Sequence, residues 1–173
     1  GGICGRMDLG LITDSESCGV IASESGSYVG GIAGVTAGTV RGCFSKTSLS
    51  GKNYVGGIVG SGVEDKADGS ASTVAGCYSM AEITDCKQYE GAISGAQAGT
   101  FLENYYVSDT LAGINRQSLA GQAEPMDYTA LLEVEGLPEE MQQLTLRFVC
   151  DGQTVFSTQF AYGASFDPSE YPS

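Results

Sequence analysis

A glycine-framed pentapeptide recurs along the chain and restricts the fold to a stack of repeats. The copies read Gly-Gly-Ile-Cys-Gly at residues 1–5, Gly-Gly-Ile-Ala-Gly at 30–34, Gly-Gly-Ile-Val-Gly at 56–60 and Gly-Ala-Ile-Ser-Gly at 91–95. A second phrase, Thr-Val-x-Gly-Cys followed by an aromatic residue, comes after the pentapeptide at 39–44 and 73–78. Because one unit of this length cannot bury a core alone, recurrence at a period of roughly 30 residues predicts that neighbouring units stack.

The apolar stretches before residue 107 are short and show no helical periodicity. They are bounded by Gly, Ser, Asn and Asp, a pattern that is typical of strands and turns. The spacing of a leucine-rich repeat is also absent. The sequence therefore predicts a mainly β protein whose residues 1–107 form a parallel β-solenoid, or β-helix, of about four coils spaced roughly 4.8 Å apart.

Two sets of repeated apolar residues are expected to point inward as ladders. The central isoleucine of the pentapeptide supplies the first ladder, and the second phrase supplies the other. The first set is Ile32, Ile58 and Ile93, and the second is Val40, Val74 and Phe101.

Three of the six cysteines are interpreted as sharing one repeat position. Cys18, Cys43 and Cys77 would form an interior stack, because free cysteine is among the most buried residue types. We expect Tyr105 to take the same position in the fourth repeat. A disulfide, for example between Cys77 and Cys86, is the alternative in an extracellular setting.

Composition changes near residue 108, since most of the 26 glycines precede it and all four prolines follow it. Residues 108–125 carry no repeat and are interpreted as a cap or linker. The sequence of residues 126–173 predicts a short helix with Asp127 as its N-cap. It then predicts a β-hairpin with its turn at Asp151-Gly152. This segment is interpreted as a small, incomplete, β-grasp-like α+β module.

Residues 1–107 resemble the GLUG-motif repeat family of bacterial surface proteins. The resemblance rests on residues 28–34 with 38–44 and on residues 54–60 with 73–78. Family members are parts of large extracellular bacterial proteins. They include adhesin-like proteins and the non-catalytic N-terminal regions of some IgA-cleaving zinc peptidases. The resemblance implies an extracellular location at the bacterial cell surface or cell wall, and it brings no catalytic residue with it.

The end of the chain resembles the beginning of a Listeria–Bacteroides type β-grasp repeat. The residues that carry this resemblance lie at 148–152 and 160–163, followed by Pro168 and Pro172. The Trp-containing segment that commonly follows in such repeats does not occur in this sequence, which has no Trp. The resemblance again implies a bacterial surface protein with modules in series.

The amino-acid inventory argues against several kinds of chemistry. The chain contains no histidine, which removes Ser-His-Asp and Cys-His nucleophile systems and HExxH zinc sites. The net charge of −13 and the lack of a basic stripe argue against nucleic acid as a partner. No apolar run of the length that spans a bilayer occurs, so no membrane insertion is expected. We expect no catalytic residue and no cofactor.

Acidic clusters are the remaining candidates for a metal or a catalytic pair. Glu64, Asp65 and Asp68 lie in one insertion and could supply oxygen ligands to Ca²⁺, but the spacing fits no EF-hand, and a solvated loop is the preferred interpretation. The other carboxylates are interpreted as solvated surface, so no metal site is expected. They are Asp8, Asp14, Glu16, Glu133, Glu135, Glu139 and Glu140.

A tyrosine precedes three of the pentapeptides, at Tyr28, Tyr54 and Tyr89. If these side chains point outward, they form a stripe suited to stacking on a host glycan or an extracellular matrix protein. If they lie inward or at a corner, they serve packing. The sequence does not specify the oligomeric state.

These observations predict a non-enzymatic role. The chain begins inside a repeat and is interpreted as a fragment of a bacterial cell-surface protein that acts as a structural stalk or an adhesive module. One alternative is a non-catalytic accessory region of a secreted zinc peptidase of the IgA-cleaving type. A further alternative is a carbohydrate-active β-helix enzyme, which would require two carboxylates facing one groove.

Overall fold

The computed structural model describes residues 1–64, 71–165, 167 and 169, and it divides into two compact units, Gly1–Val134 and Glu135–Ser173. The protein is mainly β, with 50% strand and 6% helix, and it contains several short parallel sheets. Of the residues behind the calcium hypothesis, Asp65 and Asp68 lie outside the described part of the chain.

The strands of the first unit are short because glycine-rich corners interrupt them every few residues. In chain order they are β1 (Cys4–Met7), β2 (Leu11–Thr13), β3 (Glu16–Ala22), β4 (Val29–Gly30), β5 (Ala33–Thr36), β6 (Thr39–Arg41), β7 (Phe44–Ser50), β8 (Asn53–Gly56), β9 (Val59–Ser61), β10 (Thr73–Ala75), β11 (Tyr78–Ser79), β12 (Glu82–Asp85), β13 (Gln88–Gly91), β14 (Thr100–Leu102), β15 (Asn104–Tyr106) and β16 (Ala123–Pro125).

Each sheet of the first unit collects strands that occupy the same place in successive repeats. One sheet has the order β1-β5-β9, a second β14-β10-β6-β2, and a third β13-β8-β4. In the fourth, β7 pairs with β3 on one side and with β11 and β12 on the other, and β15 and β16 continue from β11. Every pairing between these strands is parallel. The repeats are therefore joined by backbone hydrogen bonds between equivalent residues.

Both predicted apolar ladders are confirmed. The Ile32 backbone N–H donates to the Ile58 carbonyl at 2.8 Å, and the Ile58 N–H donates to the Ile93 carbonyl at 3.0 Å. All three isoleucine side chains are fully buried. In the second ladder the register pairs Val40 with Val74 and Val74 with Phe101, and these residues are also buried.

The second glycine of the pentapeptide is required because the next repeat and the facing sheet both approach it closely. A Cβ on Gly57 would lie 1.9 Å from the Ala92 carbonyl oxygen and 2.2 Å from Ser79 Oγ. Gly31 meets Gly57 O and Ser45 Oγ in the same way, at 2.1 Å each. The serines stand in register, Ser45 with Ser79. Serine hydroxyls thus occupy the volume that a side chain at these glycines would need.

Residues after 108 complete the stack rather than leaving it. The Ile93 N–H donates to the Gly113 carbonyl at 2.8 Å, and β16 pairs in parallel with β15. Ile114 and Ala123 are buried in the same apolar cluster as the isoleucine ladder. The segment expected to be a cap or linker therefore belongs to the first unit and covers its last repeat.

The short helix predicted after Asp127 is α1 (Tyr128–Leu131), and it also lies in the first unit. Asp127 occupies the N-cap with extended backbone angles, but its side chain makes no capping hydrogen bond. The expected boundary at residue 126 therefore differs from the division after Val134.

The second unit contains a 3₁₀-helix, Glu139–Gln142, and a β-hairpin of β17 (Gln143–Cys150) and β18 (Gln153–Ala161). The two strands are antiparallel. Asp151 and Gly152 connect them with φ of 50° and 77°, which is the two-residue turn that matches strand twist. The predicted hairpin is confirmed.

The isoleucine ladder gives a first test of the stack. Ile58→Asp is expected to unfold the first unit, because it buries an unpaired carboxylate between two isoleucines. Val20→Asp is the control, since Val20 is 78% exposed and its substitution is expected to change stability by less than about 0.5 kcal/mol. Thermal melts by circular dichroism measure both, and an unchanged melt for Ile58→Asp would contradict the buried ladder.

The close contacts around Gly57 give a second test. Gly57→Ala is expected to cost more than about 3 kcal/mol, because backbone atoms rather than a flexible side chain block its Cβ. Gly5→Ala is the matched control within another copy of the pentapeptide, since nothing lies within 4 Å of a Cβ there. Urea unfolding measures both variants, and equal midpoints would show that Gly57 has room for a side chain.

Candidate ligand surface

Tyr28, Tyr54 and Tyr89 form a continuous stack of rings along the repeats. The Tyr28 and Tyr54 ring centroids are 4.7 Å apart with planes 4° from parallel, and those of Tyr54 and Tyr89 are 4.6 Å apart at 10°. Tyr28 is 44% exposed, Tyr89 is 40% exposed and Tyr54 is half-buried. The tyrosines therefore pack on one another and face solvent, which combines the two alternatives that the sequence left open.

All three tyrosines adopt a left-handed backbone conformation, with φ of 65°, 57° and 65°. Glycines of the pentapeptide cross directly beside them, since a Cβ on Gly60 would lie 2.6 Å from the Tyr28 carbonyl carbon. The left-handed region costs an L-residue roughly 1–2 kcal/mol. Each stacked aromatic pair stabilises the folded state by about 0.5–1.5 kcal/mol, so the two stacking contacts offset part of this strain.

Stacking determines which parts of the rings remain accessible. Both faces of Tyr54 are covered, one by Tyr28 and the other by Tyr89. Only the outer faces of the two end rings remain uncovered by this stack. The rest of the row therefore presents ring edges and phenolic hydroxyls.

Polar side chains run beside the tyrosines in the same order. The Lys52 backbone N–H donates to the Gly26 carbonyl at 2.8 Å, and the Lys87 N–H donates to the Lys52 carbonyl at 3.1 Å. One residue further along, Asn53 pairs in register with Gln88. We call this surface the tyrosine ridge; it comprises Tyr28, Lys52, Asn53, Tyr54, Lys87, Gln88 and Tyr89. Neither lysine forms an ion pair with another described residue.

A second aromatic stack, not expected from the sequence, begins the fourth sheet. Phe44 and Tyr78 ring centroids lie 5.4 Å apart, and those of Tyr78 and Tyr105 lie 5.7 Å apart. All three residues are half-buried. Burial raises the pKa of Tyr78, and the neighbouring Tyr105 adds to the rise. The sequence signal for this stack is the aromatic residue directly after Gly-Cys in two repeats and after Glu-Asn in the fourth.

The expected cysteine stack is correct for two residues and wrong for the third. Cys43 and Cys77 are fully buried, but Cys18 is exposed. Cys18 pairs in register with Lys46 on an outward-facing position of β3. The carbonyl of Ser15 accepts from the Phe44 N–H, so Ser15 occupies the place before the aromatic position in the first repeat.

Asn104, rather than Tyr105, occupies the cysteine position of the fourth repeat. Its Oδ1 accepts from the Cys77 N–H at 3.1 Å, and its Nδ2 donates to the carbonyls of Val74 and Gln122, both at 2.9 Å. The side chain is fully buried. Asn104 therefore links the third repeat to the segment that covers the fourth.

The two buried thiols interact with each other. A hydrogen bond with Cys77 lowers the pKa of Cys43 to about 7, and the same bond together with burial raises the pKa of Cys77 well above its usual value. All six cysteines are free thiols, so the alternative disulfide between Cys77 and Cys86 is not formed.

The carboxylates that the sequence offered as candidates are solvent-exposed side chains. Asp8, Asp14, Glu16, Glu133, Glu135, Glu139 and Glu140 are all exposed. Among the described residues no group of three or more His, Cys, Asp or Glu side chains could hold a metal ion. The helices in the described part of the chain are all too short to cross a bilayer.

Comparisons of the chain with protein-family models, with curated proteins and with solved structures found no match.

The left-handed tyrosines give a third test. At most strand positions a protein with glycine is less stable than the same protein with alanine by roughly 0.5–1 kcal/mol. At Tyr54 the positive φ favours glycine instead. Tyr54→Gly is therefore expected to be more stable than Tyr54→Ala by about 1 kcal/mol. At Tyr78, where φ is not positive, the order is expected to be the usual one. Urea midpoints of the four variants check this, and the usual order at both sites would contradict the strain at Tyr54.

Proposed function

We propose that residues 1–125 wind as a parallel β-solenoid and act as a non-catalytic structural or adhesive module of a bacterial surface protein. The observation that carries this proposal is the in-register, parallel pairing of equivalent strands from successive repeats. Repeated columns of the same residue, such as Ile32, Ile58 and Ile93, are what a solenoid core requires. The resemblance of the same residues to GLUG-motif repeats supports an extracellular setting.

A role in display or adhesion suits this arrangement better than catalysis. The described surface offers regular rows of tyrosine, amide and lysine side chains along the repeats, whereas the candidate carboxylates are exposed. A glycosidase-type reaction needs two carboxylates facing one groove. The acidic net charge of −13 also favours solubility and self-repulsion, which suit a module exposed in many copies at a surface.

The location is tested on whole cells. Antibodies raised against this chain are expected to label intact, unpermeabilised cells of the bacterium that carries the gene, and protease added outside is expected to remove the label. Label that appears only after permeabilisation would contradict the surface proposal. The peptidase alternative predicts an HExxH segment in the same reading frame, and deletion of residues 1–125 would then leave peptide cleavage intact.

A further inference from the structure

The tyrosine ridge presents hydrogen-bonding edges at regular intervals. We propose that the ridge binds a linear, uncharged polysaccharide whose chain lies along the stacking direction of the repeats. This inference rests on the proposed adhesive function and names the class of ligand that the ridge fits.

The spacing of the ridge favours a polymer over a small molecule. The centroids of the tyrosine rings recur every 4.6–4.7 Å along the stack, and Asn53 and Gln88 pair in register beside them. A single sugar can meet only one or two of these groups. A chain of sugars meets a donor or acceptor at each repeat, so that several weak hydrogen bonds act together.

The ring geometry favours hydroxyl-rich ligands over aromatic or aliphatic ones. Both faces of Tyr54 are covered by its neighbours, so a flat apolar ligand cannot stack on the middle of the row. The accessible groups are phenolic hydroxyls, side-chain amides and the exposed ammonium groups of Lys52 and Lys87. These groups donate to and accept from sugar hydroxyls without requiring a charge on the ligand.

The charge of the protein selects against acidic polymers. The chain carries a net charge of −13, and such a field repels polyanions at ordinary ionic strength. Exposed Glu24 and Asp85 lie on the segments that lead into Tyr28 and Tyr89. The two lysines of the ridge therefore belong to a chain with an excess of carboxylates and are too few to form a basic patch.

The backbone strain at the tyrosines is a further sign of a binding role. Three equivalent L-residues hold φ of 57–65° at one exposed row, although glycine or asparagine would adopt this conformation at lower cost. Strain of this kind concentrates at ligand-binding positions. Retaining tyrosine at each position keeps a rigid, preorganised row of hydroxyls, which reduces the entropy lost when a ligand binds.

The test uses the complete 173-residue chain and four soluble polysaccharides. The uncharged ones are hydroxyethylcellulose, laminarin and yeast mannan, and heparin is the acidic one. Isothermal titration calorimetry is expected to show binding to at least one uncharged polysaccharide and none to heparin at physiological salt.

Matched variants locate the binding to the ridge. Tyr54→Phe removes one hydroxyl and keeps the stacked ring, so affinity is expected to fall about 2- to 10-fold while the thermal melt is unchanged. Gln88→Ala, at an exposed position, is expected to weaken binding to a similar degree. Tyr78→Phe makes the same change in the middle of the other aromatic stack and is expected to leave affinity unchanged.

Three results would overturn the inference. They are an absence of binding to all three uncharged polysaccharides, binding to heparin alone, and an equal loss of affinity in Tyr54→Phe and Tyr78→Phe. None of them bears on the surface proposal, which rests on the labelling of intact cells. Intracellular label together with ridge-dependent binding would instead reject the surface role and leave the ridge as a polysaccharide site.

Discussion

In-register backbone hydrogen bonding between repeats is the interaction on which the rest of the structure depends. Once the Ile32 N–H bonds to the Ile58 carbonyl and the Ile58 N–H to the Ile93 carbonyl, the residues of the flanking strands lie next to their equivalents in the neighbouring repeats. The core is then a set of columns, and each column demands a side chain that packs on copies of itself. Isoleucine, valine, serine and cysteine meet this demand inside, and aromatic rings meet it outside.

The second constraint is the lack of space around the second glycine of the pentapeptide. At Gly31 and Gly57 the next repeat supplies a carbonyl oxygen and the facing sheet supplies a serine hydroxyl, both within about 2 Å of any added Cβ. The repeated Gly-Gly step is therefore a steric requirement. The fourth repeat departs from it with Ala92, and there the segment around Gly113 and Ala123 follows instead of a further serine-bearing repeat.

The isoleucine and valine columns could be predicted from the sequence because apolar residues recur at a fixed place between glycines. The errors came where a repeat lacks its glycine. Asp14 in the first repeat and Glu103 in the fourth occupy the position of Gly42 and Gly76, and they adopt the same positive φ, at 47° and 52°. The second phrase therefore has the same length in these repeats, with no inserted residue. The sequence prediction assumed extra residues here and so assigned Cys18 and Tyr105 to the buried cysteine position. Ser15 and Asn104 occupy that position in the first and fourth repeats. The left-handed tyrosines could not be foreseen either, because local propensity disfavours this conformation and only the crossing glycines impose it.

The insertion between β9 and β10 is closed at its base. The Ser72 N–H donates to the Val63 carbonyl at 3.2 Å, and the Val63 N–H donates to Ser72 Oγ at 3.0 Å. Ser61 before it and Thr73 after it keep their pairing with neighbouring repeats. The length of chain between Val63 and Ser72 is thus uncoupled from the register, and a foreign peptide grafted there would be displayed from one repeat while the neighbouring repeats pair as before.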